Sequence, residues 1–439
     1  MTAGGGTAKG GATASGGSAD KGGSPASGGA IAAGGSAGLG GSALTTGGAP
    51  GTGGTAGTSA LGGANAAGGV AATGGARATG GAFTAGGTAG AGGASPAAGA
   101  SATGGSPATG GSAAMAGATG MAGGPTTGPY PAVSTQHVAT GVHDPSMIHV
   151  GSTFYLFATG GRLSVRSSTD LVKWSNVGNV FSAVPSWITT ALGTTITELW
   201  APDISYFGGR YHLYYAGSTF GSNHSVIGLA TNKTLDKSSA DYAWVDEGLI
   251  IESNKTGGAK DDWNAIDPSV ALDAGGQLWL VWGSFWSGIK LRQLDAATGK
   301  LSTTDTTLYS LATASGSHGP EAPSIVYRDP YYYLFDSWDA CCKGVDSTYS
   351  TRMGRATSIT GPYTDDQGGS LLQSNAVSLI TTSGRFIGPG GGTAYRDGNA
   401  YYYVYHYYDG SSNGASNLML REVSFTDDGW VTMGPQLWQ

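Results

Sequence analysis

The stretch Trp263-Asn264-Ala265-Ile266-Asp267-Pro268-Ser269 decides how the rest of the chain is read. Looser copies of it recur at His143-Asp144-Pro145-Ser146, Trp200-Ala201-Pro202-Asp203, Glu321-Ala322-Pro323-Ser324 and Gly388-Pro389-Gly390-Gly391. Their prolines (Pro145, Pro202, Pro268, Pro323 and Pro389) are 57, 66, 55 and 66 residues apart. Each copy opens the same succession of a short apolar run, a turn with Gly or Asp, and an aromatic strand. The chain is therefore a repeat protein of five units.

Working outward from the copies, the first unit pairs residues 146–150 with 153–158 across Gly151-Ser152, a two-residue hairpin signal. The second pairs 204–207 with 211–215, the third 269–272 with 278–282, the fourth 324–327 with 331–335, and the fifth 393–395 with 401–405. Two further strand candidates follow each hairpin, residues 226–230 and 289–291 among them, and no helical periodicity persists beyond a turn or two. Four strands per unit is the signature of propeller blades, whose ring protects edges that an open sheet exposes. The expected fold is all-β, a five-bladed β-propeller. The first strand of each blade lines the central channel, so the residues just ahead of it converge at one mouth.

Asp144 and Asp267 directly precede proline, and Glu321 stands two residues ahead of Pro323 with a longer side chain to make up reach. Proline disfavours the helical region for its predecessor, so both aspartates are expected to be extended at the start of an inner strand. Three carboxylates from three blades then share one pocket. Like charges and burial split their ionisation, leaving one protonated and another charged. That equips a site for glycoside hydrolysis: an acid for the leaving oxygen, a base for water or sugar, and a third group to orient them. A hard cation such as calcium is the rival use, although the closely spaced oxygen-rich loops of dedicated calcium sites are absent. Asp203, which follows its proline, is read as structural, and Asp329, at the tip of the fourth hairpin, as a decoy.

Composition breaks sharply near residue 129. Residues 1–128 hold 45 of the 81 glycines, no Trp, no Tyr and one Phe, Phe83, so they offer little apolar surface against the entropy of ordering. A disordered Gly/Ala/Ser/Thr-rich tether is expected there, with the propeller over 129–439. The propeller part has 18 basic and 27 acidic residues, a balance that disfavours nucleic acid and suits a neutral polymer. It carries all 11 Trp and all 21 Tyr, more aromatic surface than a core requires. The two cysteines, Cys341 and Cys342, are adjacent, which excludes a disulfide scaffold and a thiolate metal site and leaves a vicinal disulfide or two thiols. No window reaches the roughly 18 apolar residues of a membrane span. Met1-Thr2-Ala3-Gly4 lacks the regions of a secretion signal, and because such tethers are typical of exported proteins the export signal is expected upstream of the recorded start. An extracellular or surface-attached monomer is expected.

At these residues the domain resembles the arabinanases of glycoside hydrolase family 43, over residues 134–439. The matching stretches are His143-Asp144-Pro145, Glu198-Leu199-Trp200-Ala201-Pro202-Asp203, Trp263 to Pro268, Gly283-Ser284-Phe285-Trp286, Gly319-Pro320-Glu321-Ala322-Pro323, Cys341-Cys342 with Asp346-Ser347-Thr348-Tyr349, and Tyr405-His406-Tyr407-Tyr408-Asp409. The resemblance implies an inverting endo-hydrolase of α-1,5-linked arabinan, with Asp144 as general base, Glu321 as general acid and Asp267 as the group that tunes and orients the acid. It implies an aromatic cleft from Trp200, Phe220, Ser284, Phe285 and Trp286, with Asn264, Ala265 and Ile266 as the wall beside Asp267. No cofactor is implied for the chemistry. Many arabinanases carry Gly-Pro-Gly-His in the fifth unit, that His facing a calcium or water cluster in the channel. Here Gly391 stands in its place, so a structural calcium is left in doubt, with His318 and His406 as other channel residues.

Three alternatives share parts of this pattern. An exo-acting α-L-arabinofuranosidase or β-xylosidase uses the same scaffold; a non-catalytic carbohydrate-binding propeller needs only the aromatic residues; a structural surface protein works through the Gly-rich part. The three carboxylates at matched positions argue for the hydrolase.

Overall fold

The computed structural model describes residues 139–437, apart from Ala259 and residues 315–317. The tether expected over residues 1–128 and its boundary with the propeller lie outside the described residues. The described chain forms five four-stranded antiparallel sheets, each in simple sequence order. Blade one is β1 (Ser146–Val150), β2 (Thr153–Ala158), β3 (Ser164–Ser168) and β4 (Ser175–Asn179). A short helix of about two turns, α1 (Ser186–Leu192), leads to blade two: β5 (Trp200–Phe207), β6 (Arg210–Gly217), β7 (Ser225–Asn232) and β8 (Val245–Ser253). Blade three is β9 (Ser269–Leu272), β10 (Leu278–Trp282), β11 (Ile289–Gln293) and β12 (Tyr309–Ala312). Blade four is β13 (Glu321–Arg328), β14 (Tyr331–Trp338), β15 (Ser350–Ala356) and β16 (Val377–Ile380), and blade five is β17 (Phe386–Asp397), β18 (Ala400–Asp409), β19 (Ala415–Phe425) and β20 (Val431–Gln436). The five-bladed β-propeller is the fold.

The apolar faces of the strands meet between neighbouring blades. Phe157, Leu163 and Val165 of blade one pack with Leu213, Tyr215 and Val226 of blade two; Trp279 and Leu291 pack with Ile325 and Leu334; Phe335 and Met353 pack with Tyr403 and Tyr405. The ring closes where the start of the described chain meets the last blade. Gly141 N–H donates to Ser416 O over 2.8 Å, and Leu418 N–H to Ala139 O over 3.1 Å.

Around the channel, the residue after an inner proline ties one blade to the next at Ser146, Asp203 and Ser324. Ile204 N–H donates to Ser146 Oγ (3.1 Å), Val270 N–H to Asp203 Oδ2 (3.0 Å) and Ala394 N–H to Ser324 Oγ (2.9 Å). Asp203 therefore does for blades two and three what a serine does elsewhere. It is buried, and its carboxylate is spent on this ring of bonds.

Two features differ from the sequence reading. The inner strands β5, β13 and β17 begin earlier than their hairpin pattern indicates, because each absorbs its proline in a bulge: the register shifts between Trp200 and Asp203, between Glu321 and Ser324, and between Ile387 and Gly390. Proline has no N–H to give the ladder, and a bulge leaves one residue unpaired. Second, the residue before each proline is not extended. Asp144, Ala201, Asp267, Ala322 and Gly388 have φ of 46, 41, 56, 50 and 55°. This left-handed turn costs a non-glycine residue on the order of 1–3 kcal/mol, and acceptors from other parts of the mouth offset it. The Asp144 amide donates to His406 Nδ1 (3.1 Å), that of Ala201 to Thr159 Oγ1 (2.7 Å), that of Ala322 to Asp267 Oδ2 (3.0 Å) and that of Gly388 to Thr382 Oγ1 (3.0 Å).

Candidate active site

The left-handed turn fixes where the acidic side chains leave the backbone. Asp144 enters the mouth at the head of β1 and is held on both oxygens' sides. Thr159 Oγ1 donates to its Oδ2 over 2.6 Å, His143 Nδ1 lies 2.8 Å from the same oxygen, and His406 Nδ1 lies 3.7 Å from Oδ1. Burial pushes the Asp144 carboxyl up, but the His143 charge and contact, the His406 ring and the Thr159 hydroxyl together outweigh it and bring its pKa down to about 2.

Glu321 opens β13 one position earlier in its repeat than the aspartates, beside Ala322, and is buried. Ser284 Oγ donates to its Oε2 over 2.8 Å, and the Ser284 backbone bridges to it from blade three. Burial drives its carboxyl up to about 7, the negative Asp144 adds to that, and the Tyr349 and Ser284 hydroxyls and His143 only partly oppose it. Asp267, at the head of β9, is also pushed well up by burial and by the charges of Glu321 and Asp144, against the Ala322 N–H that bonds its ionised form. Two buried carboxyls that feel each other titrate as a pair rather than singly.

Tyr349 marks the point on which the three converge. It is buried, it bonds Glu321, and after burial its phenol is held up by the charges of Glu321, Asp267 and Asp144 in turn. The fifth blade, which brings no carboxylate, makes the space. A Cβ on Gly390 would lie 2.5 Å from the Tyr349 ring, and one on Gly391 would lie 2.5 Å from Asp144 Oδ1 and 2.5 Å from His406.

The remaining residues named from the sequence separate into rim and wall. Trp200 opens β5 half-buried, Phe220 stands on the turn after β6 with 82% of its surface exposed, and Trp286 is 44% exposed. Phe285 is half-buried behind Gly319, and its amide donates to Pro320 O over 3.0 Å. Asn264, Ala265 and Ile266 are buried. Asn264 Oδ1 accepts from Ser225 Oγ (2.6 Å), and the Ala265 amide donates to Ser253 Oγ (2.9 Å). His318 is exposed and paired with Asp339, whereas His406 is fully buried beside Asp144. Cys341 and Cys342 form a vicinal disulfide.

Four contributors escaped the sequence reading as site residues. His143, Tyr349 and Tyr408 fall inside stretches quoted above, and a polar or aromatic residue flanking an acidic motif was the available signal. Thr159, at the end of β2, carried none.

The donor atoms of His143, Asp144 and His406 lie within 4.8 Å of one another, the spacing of a metal site. Their bonding does not fit one. His406 Nδ1 accepts the Asp144 amide, His406 Nε2 faces Tyr408 Oη at 3.3 Å, and His143 has Asp144 on Nδ1 and Tyr408 Oη on Nε2 at 2.8 Å. Three of the four ring nitrogens are hydrogen-bonded within the protein, and the fourth, His143 Nδ1, lies against Asp144 Oδ2.

The family model of glycosyl hydrolases family 43 matches residues 136–431. An extracellular exo-α-(1→5)-L-arabinofuranosidase of Cellvibrio japonicus (strain Ueda107) is 38% identical over 298 residues, covering 66% of this chain and 85% of the relative. An extracellular endo-α-(1→5)-L-arabinanase of Bacillus subtilis (strain 168) is 40% identical over 294 residues, covering 66% and 86%. Among solved structures, an α-L-arabinanase of Cellvibrio cellulosa complexed with arabinohexaose superposes with a TM-score of 0.64 at 37% identity, covering 67% of this chain and 96% of that one.

Proposed function

Since the chain belongs to glycosyl hydrolases family 43, and is thus a glycoside hydrolase, we propose that it cleaves α-1,5-linked arabinan internally, with inversion, using Asp144, Glu321 and Asp267. Glu321 donates its proton to the leaving glycosidic oxygen. Asp144 takes a proton from the water that attacks the anomeric carbon from the opposite face, and Asp267 orients and tunes Glu321. Acid, base and water suffice, so the chemistry calls on no cofactor.

The observation that carries this reading is the opposite displacement of two carboxyls in one mouth. Asp144 is drawn down to about 2 and Glu321 is driven up to about 7, so near neutrality one is a base and the other still holds a proton. A carbohydrate-binding propeller has no use for that split. Arabinan as the substrate is supported by the names of the relatives, and internal cleavage by the exposed Phe220 and Trp286, which leave aromatic surface free for sugars beyond the reacting pair. We read the protein as a monomer that is extracellular or attached to the cell surface; the two relatives are named extracellular. Among the described residues no helix is long and apolar enough to cross a membrane.

The exo-acting relative keeps one second reading alive, release of arabinose or short products from a chain end. Product analysis decides. On linear arabinan the protein is expected to release a ladder of oligosaccharides with a rapid fall in viscosity, and Asp144→Asn and Glu321→Gln to abolish it. A single short product from the first minutes onward rejects the internal mode. Turnover by Asp144→Asn rejects the base.

A further inference from the structure

Asp144 is bounded on its blade-five side by two stacked imidazoles, His143 and His406, whose ring centroids are 3.8 Å apart at 28°. The two rings have different protonation. His406 is fully buried and accepts the Asp144 amide on Nδ1, so that nitrogen carries no proton and the ring is neutral, its Nε2 toward Tyr408. Burial lowers His406 well below the usual imidazole range, and the neighbouring His143 adds to that.

His143 is the ring left to carry charge. The titratable groups that face it are Asp144, Glu321, His406 and Tyr408. Burial lowers it, but Asp144 and Glu321 more than offset this and raise it. Its Nδ1 approaches Asp144 Oδ2 at 2.8 Å as a close ionic contact rather than an aligned hydrogen bond, and has no other partner. What holds the ring at that angle is behind it. Tyr408 Oη lies 2.8 Å from His143 Nε2 and accepts the Cys342 amide over 2.8 Å. Cys342 Sγ lies 3.8 Å from the same nitrogen. The disulfide turn, the phenol and the imidazole form an unbroken line of contacts that ends on Asp144.

We propose that His143 is a positioning residue for Asp144, clamped by Tyr408 and the Cys341–Cys342 turn, and that the chain thereby sets this carboxylate without a cation in the channel. The proposal rests on the reading of Asp144 as base. Two observations support its second half: three of the four imidazole nitrogens are hydrogen-bonded and the fourth lies against Asp144 itself, and Gly391 presents no donor to the channel because Asp144 and His406 fill the space its side chain would need.

The test uses the full chain, His143→Gln, Tyr408→Phe and Asp144→Asn, with pH profiles of kcat and kcat/KM on linear arabinan, before and after EDTA and with added calcium chloride. The parent is expected to keep its activity and Tm in EDTA and to gain neither from calcium. His143→Gln should lose about 10- to 100-fold in kcat with KM nearly unchanged. Its acid limb should move to higher pH, because Asp144 loses the charge that keeps it ionised. Tyr408→Phe should move both quantities the same way by less, and serves alone if His143→Gln fails to fold. An unmoved acid limb in the folded variants overturns the positioning role; loss of activity or Tm in EDTA, restored by calcium, overturns the cation-free half. If Asp144→Asn still turns over, the base assignment itself has failed, whatever His143 does. If Asp144→Asn is dead while the other two behave as the parent, only the positioning proposal fails.

Discussion

The Ala322 amide donates to Asp267 Oδ2 over 3.0 Å, so the carboxylate of blade three is tied to the peptide that carries Glu321 in blade four. The bond crosses two blades at the mouth and fixes the backbone beside Glu321 by a carboxyl that the Glu321 charge pushes up. Asp267→Asn keeps an oxygen for the Ala322 amide but cannot ionise. Glu321 then titrates alone rather than as half of a buried pair, so the alkaline limb of kcat/KM is expected to change shape and the rate at pH 7 to fall about 100-fold. A pH profile of the same shape as the parent's would show that Asp267 does not act on the acid.

Asp203 gives the fold a pH dependence of its own. Burial pushes its carboxyl up to about 7, although Val270, Ser205 and Ser146 bond it. The unfolded chain ionises this group near pH 4, so between about 4 and 7 the folded state holds the extra proton. Its contribution to stability is whole below pH 4 and is lost as pH rises through 7, a change on the order of a few kcal/mol. Asp203→Asn cannot ionise. Thermal unfolding from pH 4.5 to 8 is expected to show a shallower fall in Tm for the variant, with Asp336 and Glu321, also raised to about 7, and Asp267 supplying the slope that remains. Parallel curves would mean that Asp203 is ionised in the fold.

What was legible in the sequence followed from local rules. The hairpins of β1 with β2 and β9 with β10 have the bounds that alternation and turn residues indicate, since their tips are the only interruption. The starts of β5, β13 and β17 were hidden because a proline reads as the end of pairing, whereas a bulge lets the ladder resume beyond it. The left-handed φ before each proline was hidden for a different reason. Its compensation comes from His406, Thr159, Asp267 and Thr382, residues distant in the chain or carrying no motif. The same holds for the site. Repetition picks out Asp144, Asp267 and Glu321, but what shifts their pKa values is burial and then partners such as Thr159, His406, Ser284 and Tyr349, which only folding brings to them.

Gly390 tests the space that the fifth blade provides. Alanine there places a Cβ 2.5 Å from the Tyr349 ring, which is buried and must move, taking its bond to Glu321 with it. Overpacking of this kind costs roughly 1–3 kcal/mol. Gly390→Ala is expected to lower Tm by a few degrees and kcat by about tenfold or more, with the alkaline limb moved up, because a hydroxyl that favours ionised Glu321 is withdrawn. An unchanged limb would mean that Tyr349 does not set the acid.

Phe220 and Trp286 lie on the rim and contribute little to the core, being 82% and 44% exposed. Their loss should therefore separate binding from stability. A sugar stacked on an aromatic face gains about 0.5–1.5 kcal/mol, or roughly 3- to 10-fold in affinity. Phe220→Ala and Trp286→Ala are each expected to raise KM for linear arabinan by that factor, with kcat and Tm held. Arabinotriose, too short to reach beyond the reacting pair on both sides, should respond less than the polymer. Equal effects on the two substrates would place the rings against the reacting sugars instead, and a lowered Tm with unchanged KM would make them packing residues.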